Sequence, residues 1–266
     1  CACLVGSEMC IRDRNKIVKE NKYDEQKFFM KYSEMERSKK GLQGAGEWTE
    51  LQKILPDFKD KKVLDLGCGY GWHCKYAADQ GASSVLGTDI SHKMLETAKR
   101  KNSDDRITYQ CSSMEDLEFP AETFDIVISS LAFHYVKEYE QLMKRIVMWL
   151  KQGGELVFSV EHPVFTSYGT QDWYYNADGN ILHFPVDNYY YEGERNAVFL
   201  GEKVTKYHRT MTTYINSLLE NGFMLEHFVE PKPPKEMMNL KGMKDEMRRP
   251  IMFLICLLYT SPSPRD

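Results

Sequence analysis

No run of apolar residues in this 266-residue chain reaches the length of a membrane span, so nothing in it is expected to cross a bilayer. Basic residues are not in excess: 35 Lys and Arg stand against 39 Asp and Glu, a mildly acidic balance that does not recruit nucleic acid. The amino-terminal end lacks the basic start, apolar stretch and small-residue cleavage site of a secretory signal. Cysteine is sparse and scattered. There is no Cys-x-x-Cys pair, which argues against both a disulfide framework and a zinc site. A cytoplasmic, reducing setting with no bound metal is the expectation.

The two ends read differently from the body. Residues 256–266 (CLLYTSPSPRD) and residues 4–13 (LVGSEMCIRD) can be encoded on opposite strands of one short duplex that resembles a sequencing-library adapter. Residues 1–14 and 256–266 are therefore expected to be non-native and are set aside, which leaves Cys68, Cys74 and Cys111. The native body is expected to be one domain over 15–255. Within it, 15–58 forms a helical cap, 59–160 a ligand-binding core, 161–206 a lid, and 207–255 a closing helix and strands.

Short apolar runs at 62–66, 84–89, 107–111, 124–129 and 155–160 alternate with helix-period stretches near 71–80, 91–101 and 137–151. Gly153-Gly154 is expected to stop the last helix, and Ser91 to cap the one before it. This rhythm predicts right-handed βαβ units and a parallel sheet with helices on both faces. Two helices, around 24–36 and 47–55, are expected before it, joined by a loop holding Gly41, Gly44 and Gly46. A helix at 210–221 and strands at 223–229 and 251–255 follow it. Between them, residues 161–206 show no sustained period but hold ten aromatic residues, too many for a solvated linker.

Residues 63–71 read VLDLGCGYG: a buried strand, then glycines at 67, 69 and 71 that bring a ligand close to bare backbone. A dinucleotide turn wants Gly-x-Gly-x-x-Gly, and Trp72 stands where its third glycine would be. Asp89, at the end of the second strand, is placed to accept two ribose hydroxyls in either kind of turn.

With GTDIS at 87–91, MEDL at 114–117 and FDIVISSLAFHYV at 124–136, the chain resembles the class I S-adenosylmethionine-dependent methyltransferases. The resemblance implies a Rossmann-like α/β fold: a seven-stranded, mostly parallel sheet whose last strand is antiparallel, with an aromatic-rich lid after the fifth strand. The run 251–255 would supply that last strand, and Leu257 to Tyr259 could extend it. The resemblance also assigns roles. Asp65, Gly67, Cys68, Gly69 and Gly71 would approach the methionine part of the cofactor. Asp89 would take the ribose, and Ile90 and Met94 would flank the adenine. The family often has Asp at the position of Ser113, so Ser113, the Met114 amide or Glu115 would have to serve the adenine amino group. The Ser129 carbonyl would lie near the methionine ammonium, and Tyr23 could close over the cofactor.

Methyl transfer from a sulfonium needs positioning and exclusion of water, and a base only if the acceptor arrives protonated. His134 could be that base or a packing residue. His162, in Glu161-His162-Pro163, could be base or substrate contact, or a structural hydrogen bond near the proline turn. Trp173-Tyr174-Tyr175 and Tyr189-Tyr190-Tyr191 could form a small core or a ligand cage, and His208 with Arg209 a solvated helix start or an anion contact. The family's DNA-base tetrad, Asn/Asp-Pro-Pro-aromatic, is replaced by Ser129-Ser130-Leu131-Ala132. A small-molecule acceptor is therefore expected, with oligomeric state open. A nicotinamide-dependent oxidoreductase and a non-catalytic cofactor-binding module are the alternatives.

Overall fold

A computed structural model describes residues 21–240 and 242–260; the adapter-like residues 1–14 and 261–266 lie outside them. Helices α1 (Gln26–Ser33), α2 (Glu36–Lys40) and α3 (Trp48–Ile54) precede the sheet. The expected glycine loop between two helices is thus itself mostly helical, with a 3-10 turn over Gly41–Gly44. Strands β1 (Lys62–Leu66), β2 (Ser84–Asp89), β3 (Ile107–Cys111), β4 (Phe124–Ser130) and β5 (Leu150–Glu161) are parallel. Helices α4 (Trp72–Asp79), α5 (His92–Lys101) and α6 (Tyr139–Trp149) connect them.

The lid region folds into a short helix α7 (Pro163–Thr166) and two hairpins. The first pairs β6 (Tyr174–Tyr175) with β7 (Ile181–His183), the second β8 (Gly193–Phe199) with β9 (Glu202–His208). Helix α8 (Met211–Glu220), strand β10 (Phe223–Val229), helix α9 (Met243–Glu246) and strand β11 (Met252–Tyr259) complete the described chain. The sheet order is β10-β11-β5-β4-β1-β2-β3, with β11 antiparallel to both neighbours. The seven-stranded, mostly parallel sheet with an antiparallel last strand is the expected one. Among the described residues no helix is long and apolar enough to cross a membrane.

Alternation along the strands feeds two layers. Leu64 and Leu66 face α6 and α8 in a cluster with Tyr139, Trp149, Phe158 and Tyr214, while Val63 packs with Cys68, Cys74, Ala77 and Val85 on the other face. Cys68 and Cys74 are the small packing residues expected. Strand β11 follows the same rule beyond residue 255: Phe253, Ile255 and Leu257 enter one layer, Leu254 and Cys256 the other. The apolar 256–259 segment therefore does lengthen the strand. Helix α6 ends at Trp149 rather than at Gly153, because Leu150 is already extended and pairs with Phe124. Gly153, at φ 75°, instead lets β5 bulge between Leu150 and Glu155.

The amino-terminal segment is clipped to the sheet at the start of α5. Ser91 accepts from the Met94 amide at 3.1 Å, the expected cap, and donates its own hydroxyl to Asp24 at 2.6 Å. Asp24 also accepts from the Lys93 amide at 3.0 Å. Burial alone would raise the Asp24 pKa, but these hydrogen bonds outweigh it and hold the carboxyl below its usual range. Asp24→Ala should lower the unfolding free energy by about 0.5–2 kcal/mol, the scale of a lost cap, in urea titration. Amide exchange should quicken at residues 92–94 while the sheet stays protected; uniform loss of protection would contradict the clip.

Candidate active site

A cavity of about 1630 Å³ opens at the carboxyl ends of the parallel strands. It exceeds the roughly 300–1,000 Å³ of an ordinary ligand pocket, so it has room for two reactants. One end is the glycine turn. The amides of Gly67 and Cys68 donate to the Thr88 carbonyl at 2.8 and 2.9 Å, which ties the end of β1 to β2. The Gly69 amide donates to Asp89 Oδ2 at 2.9 Å, and Asp89 Oδ1 accepts from the Ser91 amide at 2.8 Å. Gly67, Cys68, Gly69, Asp89, Ile90, Met94, Ser113, Met114 and Tyr23 all line the cavity. Ser113 caps the turn over Met114–Asp116, accepting from the Glu115 amide at 3.3 Å.

Three other expected contacts lie outside the lining. Gly71 has φ 73°, and a Cβ there would fall 2.2 Å from the Tyr109 hydroxyl oxygen; its glycine serves packing under Tyr109. Ser129 is buried and donates to the Leu66 carbonyl at 2.8 Å, while Ser130 lines the cavity. Asp65 lies beneath the turn, where Cys74 donates to its Oδ2 at 3.2 Å and Oδ1 has no partner among the described residues. Burial, with Asp89 nearby, raises the Asp65 carboxyl to about 7, and burial raises Asp89 to about 6.

The far end of the cavity is a buried polar cluster. Glu161, the last residue of β5, accepts from Lys206 Nζ at 2.6 Å through Oε1 and from Gln171 Nε2 at 2.6 Å through Oε2. Lys206 also donates to Gln171 Oε1 at 2.8 Å. Nε2 of His134 lies 4.0 Å from Glu161 Oε1, too far for a hydrogen bond. Burial lowers His134 to about 4, so its ring is neutral near pH 7. Burial opposes ionisation of Glu161, but His134, Lys206 and Gln171 outweigh it and keep the carboxyl below its usual range. Tyr135, whose hydroxyl meets that of Tyr23 at 3.2 Å, joins the two ends.

His162 is not in this cluster, and its expected catalytic role is corrected. Its Nδ1 accepts from the Val164 amide at 3.0 Å as the cap of α7, and its Nε2 pairs with Glu230 at 2.9 Å. Alternation on β5 sends Glu161 into the cavity and its neighbour His162 away from it. His208 and Arg209 are buried rather than solvated. His208 meets Thr166 Oγ1 at 2.7 Å and the Tyr189 carbonyl at 2.9 Å, and Arg209 donates to the Lys137 carbonyl at 2.7 Å. Of the ten lid aromatics only Phe165 and Phe199 line the cavity, and Tyr190 and Tyr191 are largely exposed. Sequence reasoning missed Lys206, Gln171 and Tyr135. The available signal was period-2 burial of Val204, Lys206 and His208 on β9, obscured because two of the three inward residues are polar.

Residues 64–158 match the family model described as a methyltransferase domain. The structure is similar to that of a Listeria monocytogenes protein assigned to the S-adenosylmethionine dependent methyltransferases: TM-score 0.79, 51% identity, 82% of this chain and 99% of that one covered. It is also similar to an S-adenosylmethionine dependent methyltransferase from Mesorhizobium loti, with TM-score 0.75, 38% identity, and coverage of 82% and 100%. In sequence it is 34% identical over 112 residues to a ubiquinone biosynthesis O-methyltransferase of Coxiella burnetii, 41% of this chain and 47% of that protein.

The raised pKa of Asp65 has a sign that can be checked. A carboxyl that titrates near 7 when folded and near 3.8 when unfolded holds its full contribution to stability below about pH 4 and loses it as pH rises through 7. Asp65→Asn removes that loss. Without ligand, the variant should match the parent at pH 4 and exceed it by up to about 4 kcal/mol at pH 8 in urea titrations. A difference independent of pH would contradict the buried, unpaired carboxylate.

Proposed function

We propose that this chain, which belongs to the S-adenosylmethionine-dependent methyltransferases, transfers the cofactor's methyl group to an oxygen, nitrogen or carbon nucleophile of a small molecule held beside His134, Glu161 and Lys206. The observation that carries this reading is one cavity running from the glycine turn to that cluster. The nicotinamide-dependent and non-catalytic alternatives fall with the family. A small acceptor is supported by the absence of the DNA-base tetrad and by the similarity to the ubiquinone biosynthesis O-methyltransferase. The free thiols of Cys68, Cys74 and Cys111 support a cytoplasmic setting.

The residues at the turn fit the cofactor. Gly69 has open space where a Cβ would project, and two carboxylates, the buried Asp65 and the half-buried Asp89, have no cation against them among the described residues, which suits a positively charged ligand. Asp89 would hold the ribose, Ile90 and Met94 the adenine, and the segment at Ser113 and Met114 its amino edge. When bound, S-adenosylmethionine supplies a methyl group on a sulfonium that leaves as a neutral thioether.

The chain's own work is to position and to shield. Tyr23 and Tyr135 stand between the two ends of the cavity, and Phe199 and Val204 from the second hairpin close it against water. For an acceptor that arrives protonated, His134 Nε2 takes the proton. Burial keeps the ring neutral beforehand, with one nitrogen free to accept, and the Glu161 carboxylate 4.0 Å away stabilises the imidazolium afterwards.

Asp89→Ala should weaken binding of S-adenosylhomocysteine by about 1–3 kcal/mol in calorimetric titration, the scale of lost charged hydrogen bonds. An unchanged dissociation constant would misplace the ribose site. With an acceptor found by labelled-methyl transfer to a metabolite library, His134→Ala should lower turnover by about 10²–10⁴-fold, the range for a proton-transfer group. Cofactor affinity should barely move, and an equal loss of both would make His134 structural.

A further inference from the structure

We infer that the acceptor is an uncharged molecule whose nucleophile is an acidic hydroxyl on a flat framework, a phenol or enol, and that Lys206 holds the oxyanion formed from it. The inference rests on the reading that methyl transfer takes place in this cavity. Its ground is Lys206, 2% exposed on the inward face of β9. An ammonium carries three N–H donors. Two go to Glu161 Oε1 and Gln171 Oε1; the third has no oxygen acceptor among the described residues and is flanked by the rings of Phe199 and Tyr135, 5.5 and 5.8 Å from Nζ. Buried donors ordinarily have acceptors, so one left over at the wall of a reaction cavity marks where a ligand's lone pair belongs. Glu161 is the less exposed of the two to a ligand's demand, since each of its oxygens already accepts a protein hydrogen bond and the ammonium beside it offers a donor with no oxygen partner.

Charge decides what kind of ligand fits. Lys206 and Glu161 sum to zero and His134 is neutral, so the cluster as it stands buries no net charge. A hydroxyl acceptor keeps it at zero until the methyl group arrives, because the proton that leaves the oxygen stays in the cluster on His134; the positive charge lost from the sulfonium then rests on that imidazolium until its proton is released. An ammonium acceptor would bring an uncompensated positive charge into the cavity beside Lys206, and a carboxylate a negative one beside Glu161, both costly without water. The charge of Arg209, which also bears on His134, is met by the Glu192 carboxylate, and its hydrogen bonds go to backbone carbonyls. Phe165, Phe199 and Tyr135 offer flat apolar walls to a planar framework.

In the step itself the hydroxyl proton moves to His134 Nε2, and Lys206 takes the oxyanion as hydrogen-bond acceptor. An oxygen lone pair then forms the new oxygen–methyl bond as the methyl–sulfur bond breaks with its electron pair going to sulfur. The proton on His134 passes to solvent when the product leaves.

The test uses the full chain saturated with S-adenosylhomocysteine and 4-nitrophenol as probe, because the phenol and phenolate differ in absorbance. Bound 4-nitrophenol should ionise at a pH about one unit or more below that of the free probe, as expected beside a buried cation. Lys206→Met should abolish the shift, Lys206→Arg should keep most of it, and both should bind S-adenosylhomocysteine within about threefold of the parent. Benzylamine should not displace the probe. Failure of 4-nitrophenol to bind, a bound probe that ionises no more readily than the free one, a shift that survives Lys206→Met, or displacement by benzylamine would each overturn the inference. Should Lys206→Met not fold, the parent protein's shift and the benzylamine competition still decide. Labelled-methyl transfer to amines but not to phenols would overturn the inference alone, whereas failure to bind S-adenosylhomocysteine would overturn the reading beneath it.

Discussion

The hydrogen bond from the Gly69 amide to Asp89 holds the rest of the site in place. It fixes the end of β1 against the end of β2, and the other oxygen of the same carboxylate fixes the start of α5 through the Ser91 amide. Ser91 then reaches Asp24, and Asp24 anchors the segment that sets Tyr23 over the cavity. A relay of four residues thus joins the turn, the helix start and the amino-terminal cap. Its cost is a carboxylate taken out of water beside a second one, Asp65, and both are pushed toward the neutral form. A cationic cofactor relieves the tension that the relay creates.

The end of the cavity at Glu161 is built on a different logic. Glu161 stands at the end of a sheet strand and Lys206 in a hairpin that lies outside the main sheet, so their ion pair is also a joint between core and lid. Burial makes the pair dependent on each partner, since loss of either leaves an unmatched charge in the interior. The second hairpin is tied to the core both by this polar contact and by the packing of Ala197, Phe199 and Val204 against Phe28. Tyr174, Tyr175, Tyr190 and Tyr191 are exposed and take no part in either.

Much of the core was legible because each of its strands is a short apolar run bounded by turn residues, and because the glycines at 67 and 69 mark a turn that takes positive φ at both. What was not legible has physical causes. The glycine at 71 looks identical in sequence to its neighbours, yet it answers to Tyr109, a residue from a strand two places away in the sheet. Glu161 and His162 are adjacent, and only the phase of β5 tells which one faces the cavity; the bulge at Gly153 resets that phase. Lys206 was hidden because a charged residue on an inward position reads as surface until its partner is known. The cap was missed in part because Asp24 and Ser91 are brought together only by the tertiary fold.

Strand β11 sits between β5 and β10, so residues late in the chain occupy the middle of the sheet rather than its edge. Met252 pairs with Glu161, and the Ile251 carbonyl accepts from the His162 amide at 2.8 Å. The strand that carries the acceptor-side carboxylate is thus registered by a segment far away in sequence. The long loop must close before that pairing returns any free energy, whereas β1 to β4 and the turn at Gly69 are made from nearer neighbours. In order of assembly, the half of this molecule around the glycine turn can take shape while the half around Glu161 is still waiting for a wall.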